Sequence, residues 1–180
     1  SVWIDLIDLK AEYRFDTQDW GTFNTTVQTT YYLTYDYMGL DEVRTEALGK
    51  QNGRTGIVPP IPSTKLNMRM NWFRGNQSAS ISANYWNDIE FDDQVVDFFW
   101  ADGNNALNPP STIHGEYIVD ARYAHIFTQY FDSEITVSAG ISNLFDKRPQ
   151  RLGIIGGAET RLSVPWGRQY WVSLDWTPSF

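Results

Sequence analysis

The sequence contains no cysteine and only two histidines, His114 and His125, among its 180 residues. Disulfide scaffolds, thiolate metal sites and cysteine nucleophiles are therefore excluded, and so is a metal centre built from several histidines. Basic residues are also few, since 14 Lys and Arg stand against 22 Asp and Glu, which gives a net charge of −8. Because phosphate contacts need a basic face, this balance argues against a nucleic-acid partner.

Long apolar runs are absent too, since no segment approaches the roughly 18 apolar residues of a membrane helix. What the sequence has instead is alternation with a period of two. In residues 9–15 every odd position is apolar and every even position is charged. Successive side chains of a strand point to opposite faces, so each such segment predicts a strand with one apolar and one polar face. The seven predicted strands span residues 2–16, 22–38, 64–74, 77–88, 112–128, 133–145 and 167–179.

The connections between these strands alternate in length. They are short after the first, third and fifth strands, and long at 39–63, 89–111 and 146–166, where we expect extracellular loops. Short turns at one end and long loops at the other are typical of an outer-membrane β-barrel. Helical turns are predicted within two of the long loops, one from Asp41 to Gly49 and one at 94–100.

Strand length and aromatic content (16%) favour a membrane barrel over a soluble one. Most predicted strands exceed the roughly 9–11 residues that cross a bilayer, whereas soluble strands are mostly about 5–6 residues long. Aromatic residues also gather in two belts, as at membrane interfaces. The belt near the short turns comprises Phe15, Trp20, Phe23, Trp72, Phe73, Phe127, Tyr130, Phe131, Trp176 and Phe180. The belt near the long loops comprises Tyr35, Tyr37, Tyr85, Trp86, Trp166, Tyr170 and Trp171.

We therefore expect the apolar stripes to face lipid and the polar stripes, which carry mid-strand charges such as Lys65, Arg69, Glu116 and Arg122, to face a wet or plugged lumen. The alternative is a soluble barrel whose rings fill its core. Seven is an odd number, whereas single-chain bacterial barrels have an even number of strands. The chain is thus predicted to be the C-terminal part of a larger transmembrane β-barrel, unless an eighth strand lies within 91–100.

Three segments resemble TonB-dependent outer-membrane receptors. Ile61 and Pro62, which lead into Lys65, Leu66, Asn67 and Trp72, look like a strand entry that recurs in that family. Residues 139–149 contain the run Asn143, Leu144, Phe145 and Asp146, which is similar to the motif closing the next-to-last strand of that family. Residues 167–180 resemble the family's last strand, with a Gly-Arg start and a terminal aromatic residue. Its alternating residues, which look like the signal read by the barrel-assembly machinery, are Tyr170, Val172, Leu174, Trp176 and Phe180.

The resemblance spans the chain and implies the last seven of about 22 strands around a plugged lumen in a Gram-negative outer membrane. The function it implies is capture of a nutrient (siderophore-like, cofactor or oligosaccharide) and its import with energy from TonB, without enzymatic activity or a cofactor. Implied partners are outer-membrane lipid, the rest of the barrel and plug, TonB through an N-terminal part absent here, and the assembly machinery. The alternatives are a small independent outer-membrane barrel with a structural or adhesive role, and a soluble β-barrel ligand carrier.

Loop residues supply the candidate ligand contacts. Phe98, Phe99 and Trp100 are predicted to form an aromatic platform for a ligand, and Arg151 and Arg161 are candidate contacts for an anionic ligand. Calcium takes six to eight oxygen ligands, and the candidate donors are Asp92, Asp93, Asp97 and Asp102. Their spacing does not match an EF-hand, so a solvated acidic loop is the alternative. A hydrolase needs a nucleophile and a histidine held by a third polar group, and Ser111 and His114 are too isolated for that role.

Overall fold

Seven long strands form one antiparallel sheet in the computed structural model, which describes residues 1–39, 42–51, 59–91, 111–130, 133–152 and 158–178. Each strand pairs with its neighbour in sequence, so the predicted all-β meander is confirmed. The sheet is not closed, and β1 and β11 are its edges. No helix among the described residues is long and apolar enough to span a membrane. The strands are β1 (Val2–Thr17), β2 (Gly21–Met38), β5 (Thr64–Arg74), β6 (Gln77–Trp86), β9 (Glu116–Tyr130), β10 (Ser133–Ser142) and β11 (Gln169–Pro178).

Four short strands lie in the described parts of the loops: β3 (Arg44–Glu46), β4 (Lys50–Gln51), β7 (Ile89–Phe91) and β8 (Thr112–Ile113). Strand β3 extends the main sheet beside β2, so the helical turn predicted from Asp41 to Gly49 is wrong. Strands β4, β7 and β8 form a second, small sheet that joins two of the long loops. The helical turn predicted at 94–100 lies outside the described residues, as does nearly all of the segment considered for an eighth strand.

The fifth predicted strand, 112–128, is divided into β8 and β9 at His114 and Gly115. The Gly115 N–H donates to the Asp88 carboxylate (2.6 Å), and the His114 N–H donates to the Gln150 side chain (2.8 Å). A Cβ atom on Gly115 would collide with the backbone of Trp86, so the close approach requires glycine. The chain therefore leaves the small sheet and joins the large one at this point.

The pairing register separates two faces, as the alternation predicts. One row of cross-strand neighbours on the apolar face is Val27, Met68, Ala83 and Val119. The adjacent row on the polar face is Thr26, Arg69, Ser82 and Asp120. Because directly opposite residues share a face, these rows run across four strands without mixing.

A β-bulge in β2 interrupts this order near the long loops. Tyr32 pairs with Leu6 and Thr34 with Asp5, so Leu33 is an extra residue without a partner in the register. An extra residue inverts the alternation beyond it. Tyr35 and Tyr37 therefore do not continue the apolar face as the sequence pattern predicted. They are buried together with Ala47 instead.

Buried apolar residues among the described ones concentrate where the long loops emerge, which we call the long-loop end of the sheet. One cluster consists of Tyr35, Tyr37 and Ala47, and the other of Ile89, Ile113 and Leu152. The apolar face away from this end is exposed, with Val172 75% and Leu174 67% accessible to solvent. The described buried clusters therefore form where the long loops pack on the sheet, and not on the apolar face of the long strands.

Candidate functional site

The 143–146 motif forms a tight turn that ends β10. Asn143 and Asp146 have positive φ angles of 54° and 53°, in the left-handed region that Asn and Asp adopt more readily than most residues. The Asp146 N–H donates to the Asn143 carbonyl (2.9 Å), which closes the turn. The Asn143 N–H donates to Asp120 Oδ1 (2.8 Å) and the Leu144 N–H to the Val119 carbonyl (2.7 Å), so the turn is fixed to β9.

The Asn143 side chain joins the two ends of the last loop (residues 143–168). Its Oδ1 accepts the Lys147 N–H (2.8 Å), and its Nδ2 donates to the carbonyls of Lys147 (2.7 Å) and Trp166 (3.2 Å). Asn143 is 3% exposed, so these bonds satisfy an amide that water cannot reach. An aspartate would have the same shape but no donor for the two carbonyls.

Asp146 fixes the point at which the chain returns to the sheet. Its Oδ1 accepts the N–H of Arg168, the residue before β11, at 2.8 Å. This hydrogen bond, with the nearby charges of Arg148 and Arg168, holds the pKa of the Asp146 carboxyl below its ordinary value. Gly167 lies against the same carboxylate, and a Cβ atom there would come within 2.5 Å of Oδ1. Asn143 and Asp146 together therefore clamp the base of the last loop.

The other two motif residues contribute packing. Phe145 is largely exposed and meets the Tyr117 ring edge-on, with 6.2 Å between ring centroids. The Lys147 ammonium lies 4.3 Å from the centre of the same tyrosine ring, within the range of a cation–π contact. Leu144 is half-buried.

An ion pair between the buried Glu159 and the partly exposed Arg161 organises the far side of the last loop. Arg161 donates from its guanidinium to both carboxylate oxygens of Glu159, each at 2.7 Å. Burial raises the pKa of Glu159, but the hydrogen bonds from Arg161 outweigh it and hold that pKa below its ordinary value. Arg161, a predicted contact for an anionic ligand, is thus already matched by a carboxylate of its own loop.

A cavity of about 310 Å³ lies between the last loop and the polar face of the sheet. Its walls come from β6, β9, β10 and β11 on one side and from residues 162–167 on the other. A second cavity, of about 400 Å³, lies beside it, between Arg161 with Leu162 and the polar residues of β2, β5 and β6. The described lining of the first is Asn84, Trp86, Glu116, Ile118, Asp120, Ser142, Asn143, Leu162, Val164, Trp166, Gly167 and Gln169.

Glu116 is the unusual residue of this first cavity. It is 8% exposed, and both of its carboxylate oxygens are buried without a hydrogen-bond partner among the described residues. The sequence predicted Glu116 only as a mid-strand charge facing a lumen. The structure places it at the start of β9 opposite Trp86, in reach of a loop that is distant in sequence. No local sequence signal could have indicated this burial.

The last strand presents its apolar residues to solvent. Tyr170, Val172, Leu174 and Trp176 are all more than 60% exposed on the free edge, and Phe180 lies outside the described residues. Trp171 belongs to the other face, contrary to its assignment to an apolar aromatic belt. It lies against Gly140 with the Arg122 guanidinium 5.8 Å from its ring centre.

Trp86 also departs from the predicted belt, because it packs against the buried cluster of Ile89, Ile113 and Leu152. Arg151 is exposed. The remaining predicted loop contacts lie outside the described residues, namely Asp92, Asp93, Asp97, Phe98, Phe99, Trp100 and Asp102. Within the described ranges there is no group of three or more His, Asp or Glu that could hold a metal ion.

Comparisons with protein-family models, with curated protein sequences and with solved structures found no match to this chain.

Proposed function

We propose that this chain is the C-terminal part of an outer-membrane β-barrel of the TonB-dependent receptor type, which captures an extracellular nutrient and imports it. The observation that carries the proposal is the contrast between the two faces of the sheet. The apolar face is broadly exposed in the described structure, whereas the last loop covers part of the polar face. An apolar face can be exposed at low cost if it contacts lipid, and a polar face can be covered by a loop if it lines the interior of a barrel.

The exposed face is difficult to reconcile with a water-soluble monomer. Contiguous apolar patches beyond a few hundred Å² are rare on such proteins, because each Å² left in water forfeits about 25 cal/mol. Val27, Leu66, Ile81 and Val137 do not belong to either buried cluster. A soluble carrier would need these side chains to meet in a shared dry interior.

Strand length and stagger support a tilted barrel wall. The seven strands have 10 to 18 residues, and at about 3.3 Å per residue even a ten-residue strand, tilted by about 40°, spans the roughly 25 Å apolar band of an outer-membrane barrel. Phe15 and Val172 lie in one row across the sheet, yet Phe15 is two residues from the end of β1 and Val172 six residues from the end of β11. Such stepping accompanies strand tilt in barrels.

The two free edges support a larger barrel. A sheet edge in hydrocarbon leaves backbone N–H and C=O groups unpaired, at several kcal/mol each. Strands β1 and β11 run in the same direction, so closing the seven strands on themselves would require a parallel pair. Further strands of antiparallel sense would pair both edges, which agrees with a C-terminal portion rather than a complete small barrel.

The receptor identity itself rests on the resemblance of the 143–146 motif and of the last strand. The clamp made by Asn143 and Asp146 gives that motif a role, since it fixes both the last loop and the start of β11. In this proposal the partners are lipid, the remaining barrel with its plug, TonB, and the assembly machinery that receives the exposed last strand. The nutrient is siderophore-like, a cofactor or an oligosaccharide.

The orientation of the two faces can be tested by single cysteine substitutions, because the chain contains no cysteine of its own. Neighbouring residues form matched pairs: Val27→Cys with Gln28→Cys, Met68→Cys with Asn67→Cys, and Ala83→Cys with Asn84→Cys. Each variant is spin-labelled in phospholipid vesicles. We expect the first member of each pair to collide mainly with lipid-soluble oxygen and the second mainly with a water-soluble nickel complex.

Loss or inversion of this alternation would refute the membrane orientation. A soluble carrier would instead remain monomeric in buffer without detergent and melt cooperatively there. The gene distinguishes the two membrane proposals: a plug encoded ahead of Ser1 is expected for a receptor, and a signal peptide directly ahead of Ser1 for a small independent barrel.

A further inference from the structure

We propose that the 310 Å³ cavity beneath the last loop binds a small organic cation, an alkylammonium or alkylguanidinium group, with the Glu116 carboxylate as its counter-charge. This inference concerns the loop and the polar face alone, so it does not depend on the membrane orientation proposed above.

Glu116 carries a buried carboxyl group without hydrogen-bond partners among the described residues. An ionised carboxylate removed from water is strongly unfavourable unless it is paired and hydrogen-bonded. Both oxygens of Glu116 lack a hydrogen-bond partner among the described residues, although the residue is only 8% exposed. Glu159 provides the internal comparison, because the same loop supplies Arg161 to both of its oxygens. The described chain gives Glu159 a bidentate arginine, whereas His114, Lys147 and Arg148, which line a smaller cavity that Glu116 also borders, donate no hydrogen bond to the Glu116 carboxylate.

The cavity walls have the chemistry of a cation site. The described lining contains two carboxylates, Glu116 and Asp120, and no Lys, Arg or His. Trp86 and Trp166 add indole rings, whose faces attract cations, particularly where water is excluded. Leu162 and Val164 supply apolar surface for an alkyl chain. The volume is at the lower end of the range for small-molecule pockets, about 300–1,000 Å³.

The same lining disfavours other ligand classes. An anion would be repelled by both acids. A single metal ion is also a poor fit, because Glu116 and Asp120 are four residues apart on one strand, about 13 Å at 3.3 Å per residue, while calcium–oxygen distances are about 2.4 Å. An elongated organic cation can meet Glu116 with its charged end, once that side chain turns towards the cavity, and place its alkyl part along the loop.

Calorimetric titration of the detergent-solubilised protein tests the proposal. The probes are n-butylammonium and n-butylguanidinium, and the controls are n-butanol, which has a similar size but no charge, and butyrate, which has the opposite charge. We expect saturable binding of the cations at least about tenfold tighter than of either control, since only a cation supplies the counter-charge whose absence is costly to a buried carboxylate.

Variants then assign the site. Glu116→Gln keeps the shape of the side chain and removes its charge, so we expect cation affinity to fall more than about tenfold. Glu134→Gln, at an exposed position of β10, is the matched control and should change the affinity less than twofold. Trp166→Leu should weaken binding by a smaller factor through loss of an indole wall. Far-UV circular dichroism checks that each variant keeps its strand content.

Two results would overturn the inference: equal binding of n-butanol and n-butylammonium, or unchanged cation affinity in Glu116→Gln. If Glu116→Gln failed to fold, the comparison of charged and uncharged probes on the unaltered protein would still decide between the outcomes.

Discussion

The long-loop end and the broad apolar face are built from the same alternating strands, yet their surroundings differ. At the long-loop end, loop residues bury Tyr35 and Ile89 and tie down the turn at Asn143. On the apolar face, aromatic rings contact one another without being covered by loops. Phe15 and Phe23 stack with their ring centroids 4.8 Å apart, and the neighbouring Tyr13 is largely exposed to solvent.

The alternation therefore defines two faces but not what covers them. The described loops cover polar side chains at one end and leave the apolar stripes bare. In a soluble sheet protein the opposite holds, since the apolar face packs on the core and the polar face meets water. The stability of the two regions should therefore respond differently to substitution and to the surrounding medium.

The largest effect is expected from Met68→Arg in lipid vesicles. Met68 is in a middle strand on the apolar face, and an arginine facing hydrocarbon in a barrel costs about 2–4 kcal/mol near the bilayer midplane. Asn67→Arg, one residue earlier on the polar face, is the control and should change the free energy of unfolding by less than about 1 kcal/mol. Urea unfolding in vesicles measures both. Equal costs for the two variants would mean that the faces are not distinguished by lipid.

Asn143→Asp tests the long-loop end, and it should lower the free energy of unfolding by about 2 kcal/mol in vesicles and in detergent alike. The substitution keeps the shape but replaces the donor to Lys147 and Trp166 by an acceptor that faces two carbonyls, and an unsatisfied buried group costs about 1–3 kcal/mol. Asn76→Asp, in an exposed turn, is the control. A loss for Asn143→Asp no larger than that of the control would show that the clamp does not hold the loop.

The elements of this fold that depend on local pattern were predictable. Strand β5 has the bounds expected from the alternation, and β1, β2 and β11 agree with expectation within two residues. The strand predicted at 133–145 ends three residues early, at Ser142, because residues 143–146 form a turn closed by a hydrogen bond between neighbours in sequence. The predicted meander also implied that strands consecutive in sequence pair with each other, as they do in the structure.

Features that depend on distant residues were not predictable. The unpaired Leu33, which turns Tyr35 and Tyr37 away from the apolar face, is defined only by the register with β1. The break before β9 depends on Asp88, 27 residues from Gly115. The cavity at Glu116 depends on the return of the last loop over the polar face, which no period in the sequence specifies.

Within the region covered by the last loop, Arg161→Met should lower the free energy of unfolding by about 1–2 kcal/mol. Removing one partner of a buried pair costs about 3–5 kcal/mol, and we discount this because the Arg161 side chain is 36% exposed. The double variant Glu159→Gln with Arg161→Met should recover part of the loss, since no buried charge is then left unpaired. Denaturant unfolding in detergent measures the cycle, and no recovery in the double variant would argue against a coupled pair.

The smallest effect is the pH dependence of the same pair. The pKa of Glu159 is lowered in the folded state, so its contribution to stability is complete above the ordinary value of 4.5 and is lost as the pH falls below 4.5 through the folded pKa. Unfolding midpoints recorded from pH 6 downwards should therefore fall less steeply below pH 4.5 in Glu159→Gln than in the unaltered protein. Glu134→Gln, at an exposed carboxylate, should retain the original slope, and identical slopes in all three proteins would mean that Arg161 does not stabilise the charged form of Glu159.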